Sequence, residues 1–431
     1  MESTDLTQRL PEDVLVAVLE RLPPHGLAAA RCVCKAWHAV IDARRLLDLF
    51  PPSLAGLFIN FNDLEISEFF FRPPRGTPVS GKQFHVPNSI DDTIAVDHCN
   101  GLLLFCTYVA NPATRRWAPL PPRSPPEPRG LDFGHILFDP AVSPHYEVLK
   151  IPMLPWCTTE FELQMEWPPS PFVIHVFSST TGIWEERPFA RRGDAIGTIA
   201  HLQQRGRRSI LEVCSAYWRG QLYVFHEFVM RISLSSCTYQ AIEPPVDVGN
   251  WNQVYCLGKS GNGVYFSSID KQRRLRVWIL NELHDKIEWV LKHDNKLDHM
   301  LSRGMYDRQV QGPWIIEDIN YKSDRSTPID IEGGAEEDKF EWNTDNENTL
   351  DTRLSVGKHY TGSIKILGFH PCKEVIFLNE SVSRGLAYHL NSSKIEDLGN
   401  IYPKDYSCMY MCVEQCFPYT PCWIGRLPGS I

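Results

Sequence analysis

This 431-residue chain lacks several things that would place it quickly. No apolar run approaches the ~18 residues that a membrane-crossing helix needs, so a membrane partner is not expected. The opening MESTDLTQRL carries acids where a secretory signal carries bases, and no apolar stretch follows it; the expected location is the cytosol or the nucleus. Base is not in excess either. Net charge is −9, and the twelve acids and three bases between Glu317 and Asp351 account for all of it. A nucleic-acid binder would carry a net basic face, so nucleic acid is not an expected partner.

Signatures of catalysis are missing too. His-Glu-x-x-His, Gly-x-Ser-x-Gly and Gly-x-Gly-x-x-Gly do not occur. Gly258-Lys259-Ser260 resembles the end of a phosphate-binding loop. The glycine required five positions earlier is Gln253, however, and no helical pattern follows, so these residues read as a turn between strands. The thirteen cysteines are scattered and odd in number, as expected for free thiols in a reducing compartment. Cys408, Cys412, Cys416 and Cys422 are spaced 4, 4 and 6 apart, without the two close pairs of a zinc site. Neither metal nor other cofactor is expected. Fifteen histidines are dispersed; His98 and His370 fall in strand–turn contexts and read as structural.

What the chain does have begins at Leu10, with LPEDVLVAVLERLPPHGLAAARCVCKAWHAVIDARRLL. Val14, Val18 and Leu22 recur at helical spacing, with Leu15 and Leu19 beside them, which makes a wide apolar stripe. Pro11 suits a first helical turn, Glu12 and Asp13 suit the positive end of the dipole, and Pro23-Pro24 stops the helix. A second helical piece is expected from about Leu27 to Val33. A third, from about Lys35 to Leu46, carries Trp37, Val40 and Ile41. A bundle of ~40 residues usually needs disulfides, metal or a partner. Without zinc spacing, a partner remains.

These residues resemble an F-box: Leu10-Pro11, an amphipathic helix, Leu22-Pro23, Leu27, then Val33-Cys34-Lys35-Ala36-Trp37. The resemblance implies a module over 7–49 that docks on a Skp-type adaptor and, through it, on a cullin and a RING subunit. The adaptor-facing set carried over is Leu10, Pro11, Val14, Leu15, Val18, Leu22, Leu27, Val33, Cys34 and Trp37. Some of these must instead hold the three helices together, and sequence does not separate the two jobs.

From residue 54 the pattern changes to short apolar alternations punctuated by Gly, Pro, Asn and Ser. LFINF, EFFFR, GLLLFCTYV, HILFD, PFVIHVF, GQLYVFHEFVMRISL, GVYFSS, LRVWIL, KILGF and EVIFL read as strands. A degenerate repeat runs through them: a strand, a polar turn, then an anchor opening the next strand. The anchors are Trp117, Trp184, Tyr239, Trp289 and Ile395, with gaps of 67, 55, 50 and 106 residues. A period near ~50 suits four strands per unit. The expected fold is thus multidomain, with a small all-α three-helix module followed by an all-β propeller-like domain of six to eight four-stranded blades over 54–405. A two-sheet sandwich is the alternative.

CNGLLL (Cys99 to Leu104) and NPATRRW (Asn111 to Trp117) resemble the F-box-associated β domain common in plants, as do LGFHPCKEVIFLNES and YHLNSSKIEDLGN, particularly in grasses. The chain departs from true kelch repeats, since its one Gly-Gly pair, Gly333-Gly334, lies in the acidic segment. That segment, 317–351, reads as a mobile insertion, and 406–431 as a Cys-rich strand or helix packed on the propeller. Arg191, Arg192, Arg205, Arg207 and Arg208 form a basic stretch opposed only by Asp194. The two resemblances imply a substrate-recognition subunit of an SCF-type (Skp–cullin–F-box) ubiquitin ligase with no catalytic residue of its own, bound to a protein substrate that sequence does not name. An adaptor-binding scaffold that assembles no ligase, or a propeller enzyme or glycan-binding module, are the other readings.

Overall fold

The computed structural model describes residues 11–22, 24–31, 33–44, 46, 53–73, 93–123, 132–155, 159–205, 213–249, 253–283, 286–297, 312–320, 363–381, 383–404, 406, 412–423 and 427–430. Three helices come first: α1 (Glu12–Leu19), α2 (Pro24–Arg31) and α3 (Lys35–Ala43). α2 starts three residues earlier than its apolar pattern suggests. Pro24 is its first residue, where a missing N–H costs nothing.

The remainder is built of antiparallel four-stranded meanders. The first comprises Gly56–Phe61, Glu68–Phe71, Ile315–Ile316 and, from the far end of the chain, Val413–Tyr419. The others follow in chain order over 97–119, 132–192, 214–242, 254–296 and 364–400. The third and fourth join at their outer strands through a short parallel pairing of residues 190–192 with 238–240. Each anchor sits on the outermost strand of its meander: Trp117 opposite Ala110, Trp184 opposite Phe177, Tyr239 opposite Ile232, Trp289 opposite Leu280 and Ile395 opposite Tyr388. Three of them reach back to the preceding unit. Trp184 Nε1 donates to Pro121 O at 2.7 Å, Tyr239 Oη to Pro169 O at 2.6 Å, and Trp289 Nε1 to Glu243 O at 2.9 Å.

Among the described residues, six apolar clusters lie between neighbouring meanders, and together they run full circle. Leu104, Val109, Ile136 and Phe177 join the second and third. Ile174, Val176, Leu222 and Ile232 join the third and fourth. Phe225, Tyr255 and Phe266 join the fourth and fifth. Tyr265, Leu275, Ile376 and Tyr388 join the fifth and sixth. Leu57, Phe70, Phe377 and Leu398 join the sixth and first. Phe58, Phe69, Leu103 and Tyr419 join the first and second. Each meander therefore buries both faces, whereas a sandwich buries one. The arrangement is propeller-like, and its edges are protected by closure.

Three sequence readings change here. The β region does not stop at 405. Val413–Tyr419 lies inside the first meander, paired antiparallel with Gly56–Phe61, so the C-terminal segment closes the ring. Gly258, Lys259 and Ser260 are in the strand Val254–Ser260, not in a turn. GLLLFCTYV and GQLYVFHEFVMRISL each fold back into two strands, at 102–104 with 108–111 and at 221–225 with 229–233. Two short helices were not legible, Glu160–Leu163 and Ile199–Gln204, each capped by a threonine hydroxyl at Thr159 and Thr198. They are too short to show a period.

Asn100-Gly101 in CNGLLL is a two-residue turn with φ of 45° and 90°, the pattern that suits hairpin twist. A Cβ at Gly101 would lie 2.5 Å from Cys422 Cβ and 2.6 Å from its N. Left-handed strain of ~1–2 kcal/mol and overpacking of ~1–3 kcal/mol then act together. Gly101→Ala is expected to destabilise the chain by roughly 2–5 kcal/mol in urea titration; a loss below ~1 kcal/mol would show that the C-terminal segment does not seat there.

Candidate functional site

The N-terminal module has its own core. Leu15, Leu19, Leu27, Ala30, Ile41 and Leu46 are buried together, with Val16, Leu22, Trp37 and Val40 packed around them. On α1 this uses one side of the stripe. Val14 and Val18, on the other side, remain 45% and 48% exposed, and Val33, just beyond α2, is 58% exposed. Pro11 caps α1 with no side-chain hydrogen bond, and Arg44 pairs with Glu12 at 3.0 Å across the surface. Trp37 Nε1 is buried and has no hydrogen-bond partner among the described residues.

The ten residues carried over from the family pattern therefore divide. Leu15 and Leu27 hold the helices together. Leu22, Cys34 and Trp37 are half-buried, and Pro11, Val14, Val18 and Val33 face outward. Leu10 lies outside the described residues. The buried Leu19, Ala30, Ile41 and Leu46 complete the core, which helical spacing alone did not distinguish from the outward face.

The β-domain signatures turn out to be structural. Asn111 Nδ2 donates to Cys422 O at 2.9 Å, and Ala113 N donates both to Asn111 Oδ1 at 3.1 Å and to Tyr419 Oη at 3.0 Å. His370 Nδ1 accepts from Cys372 N and Lys373 N at 3.0 and 3.1 Å, and burial lowers its pKa to about 4. The basic stretch is opposed by more than Asp194. Arg191 pairs with Glu166 at 2.6 Å and donates to Pro168 O at 2.9 Å, while Arg205 lies 3.7 Å from Glu243. Arg207 and Arg208 lie outside the described residues, as does 321–351 of the acidic segment. Its first residues, Glu317 to Asn320, are anchored: the buried Glu68 carboxylate accepts from Ile319 N at 2.7 Å and Asn320 N at 2.9 Å. Burial raises the Glu68 pKa, with the Asn320 hydrogen bonds opposing.

A cavity of about 930 Å³ occupies the middle of the ring. It is bordered by strands of several meanders, by Val413–Tyr419, and by Arg31 and Ile41 of the N-terminal module. Beside it, Asp97 crosses between units, accepting from Ile136 N at 2.9 Å and Ser215 Oγ at 2.7 Å, with His135 Nδ1 at 3.3 Å. Burial opposes its ionisation, yet the His135 and Ser215 contacts hold its pKa below the usual value. Among the described residues no group of three or more His, Cys, Asp or Glu is placed to hold a metal ion, and no helix is long and apolar enough to cross a membrane.

Residues 7–47 match the F-box-like family. The N-terminal module is an F-box-like domain. The chain is also similar to plant F-box proteins. A putative F-box protein of Arabidopsis thaliana is 25% identical over 250 residues, which cover 56% of this chain and 62% of the relative. A putative F-box/kelch-repeat protein of the same plant is 22% identical over 196 residues, covering 41% and 46%. The chain thus spans less than two thirds of the length of either relative. Among solved structures, apo AztD from Citrobacter koseri aligns over 85% of this chain and 88% of its own, at 7% identity and a TM-score of 0.35. With a score that low, the propeller-like description rests on sheet order and inter-meander clusters. The F-box-like domain accounts for the apolar stretch that opens the chain, with Val14, Val18 and Val33 left uncovered by the domain's own core.

Proposed function

We propose that this chain is the substrate-recognition subunit of an SCF-type ubiquitin ligase. The F-box-like domain docks on a Skp-type adaptor through Val14, Val18 and Val33, with Pro11, Leu22, Cys34 and Trp37 at the margins. Leu15 and Leu27 support that surface from beneath. The observation that carries this reading is the exposure of three valines on a small domain whose core is already complete. Six meanders, taken as the six blades of a kelch-like, F-box-associated propeller, present loops to a protein substrate. The chain itself carries no catalytic residue in this reading. Holding the substrate near a charged E2 makes transfer effectively intramolecular, so proximity is the mechanism.

Co-expression with a Skp-type adaptor tests this directly. The full chain is expected to co-purify stoichiometrically with the adaptor, and a chain lacking residues 1–50 is not. Recovery of a cullin in the same complex supports ligase assembly, while adaptor without cullin turns the reading to a scaffold. If the full chain does not retain the adaptor, the proposal fails.

A further inference from the structure

Among the described residues, the central cavity holds a cation with no carboxylate paired to it. Lys259 lines it from the strand Val254–Ser260, and among the described residues its ammonium has one hydrogen-bond partner, Asn100 Oδ1. Asn100 is itself fixed, because its Nδ2 donates to Phe138 O at 2.6 Å. That leaves the carbonyl side of the amide for the lysine, so the ammonium is aimed rather than adrift. No carboxylate lies within ion-pair distance of it among the described residues. The acids that share the cavity are engaged elsewhere or out of reach: Asp97 with Ser215, Ile136 and His135, Asp139 with Ala141 N at 3.0 Å, and Glu414 near Lys365, which donates to Val413 O at 2.8 Å. Two further titratable neighbours, His98 and Cys99, add no negative charge at neutral pH. Burial lowers His98 to about 4, and burial raises the Cys99 thiol to about 12, the lysine opposing.

The walls near Lys259 are apolar. A Cβ at Gly258 would lie 2.6 Å from Phe369 Cδ2, so the absent side chain brings that ring against the strand beside the lysine. Tyr217, Phe417 and Trp423 also line the space. Its volume, about 930 Å³, is that of a small-molecule site, for which ~300–1,000 Å³ is usual.

We propose that the cavity is a binding site for a small organic carboxylate with an apolar body, its carboxylate on Lys259 Nζ and its body against Phe369 and the neighbouring aromatics. Arg31 and Ile41 of the F-box-like domain border the cavity, but Lys259 and Phe369 lie in the β region and Val14, Val18 and Val33 do not line it, so the proposal is tested apart from adaptor binding. The test uses the full chain and two fluorescent probes of the same shape, 2-naphthoate and 2-naphthamide. A charge-assisted hydrogen bond to a half-buried ammonium makes the acid at least ~10-fold tighter than the amide. That preference is expected to vanish in Lys259→Met and to persist in Lys259→Arg, with thermal unfolding recorded for each. Should Lys259→Met fail to fold, Lys259→Gln, which keeps a donor toward Asn100, replaces it. Equal affinity for acid and amide in the parent chain overturns the proposal without any variant. So does an unchanged preference in the uncharged variant, or the absence of binding by either probe at millimolar concentration.

Discussion

The full chain carrying Val14→Glu and Val18→Glu is expected to bind a Skp-type adaptor at least ~100-fold more weakly than the parent, a change of ~2.8 kcal/mol. Both side chains are nearly half exposed, so the charges sit in water in the isolated chain and disturb little. In a complex they would be forced into an apolar contact. Each substitution forfeits part of the ~1.5–3 kcal/mol available from covering a valine and adds the cost of desolvating a carboxylate. Leu15→Glu with Leu19→Glu makes the contrast. Those side chains are 5% and 0% exposed, so charge there melts the F-box-like domain, and loss of binding follows from unfolding. Affinity by titration calorimetry, with far-ultraviolet circular dichroism of each variant, separates the two cases. Parental affinity in the Val14/Val18 variant would place the adaptor surface elsewhere.

A chain ending at residue 411 is expected to lose cooperative unfolding and to accumulate as aggregate. The missing strand, Val413–Tyr419, pairs with Gly56–Phe61 along its length. Without it the first meander keeps an uncovered apolar edge, a template for pairing with other chains. Three inter-meander clusters lose members at once: Val413 from the one between the sixth and first meanders, Phe417 and Tyr419 from the one between the first and second, and Cys422 and Leu427 from the one between the second and third. Tyr419 is fully buried, its ring 5.3 Å edge-on to Phe58, and its hydroxyl accepts from Ala113 N. Tyr419→Ala alone is expected to cost ~3–5 kcal/mol, a large share of the ~5–15 kcal/mol that holds a domain together. Denaturant titration of both variants measures this. A truncated chain that unfolds in one step at the parental midpoint would mean the ring does not depend on this closure.

The repeat was legible because hairpin pairing is local. Trp117, Trp184, Tyr239, Trp289 and Ile395 each open an outermost strand opposite a residue seven to nine positions earlier, so a short window of sequence contains the whole unit. The arginine stretch misled for the opposite reason. Glu166 and Glu243, which pair with Arg191 and Arg205, are 25 and 38 residues away, brought near by strands that fold back.

By itself, the sequence determined that a helical module precedes a region of short strands, that the module's Leu-Pro and Val-Cys-Lys-x-Trp elements fall in F-box order, and that a strand–turn–anchor unit recurs. Those are properties of periodicity and of Pro and Gly geometry, which act over a few residues. Tertiary structure alone decided which half of the α1 stripe stays uncovered, since both halves are equally apolar and only packing against α2 and α3 distinguishes them. It also decided that the last strand closes the first meander, and that Lys259 meets Asn100 from 159 residues away. Such contacts depend on how meanders pack around a ring, and no local pattern encodes a partner that only closure brings within reach.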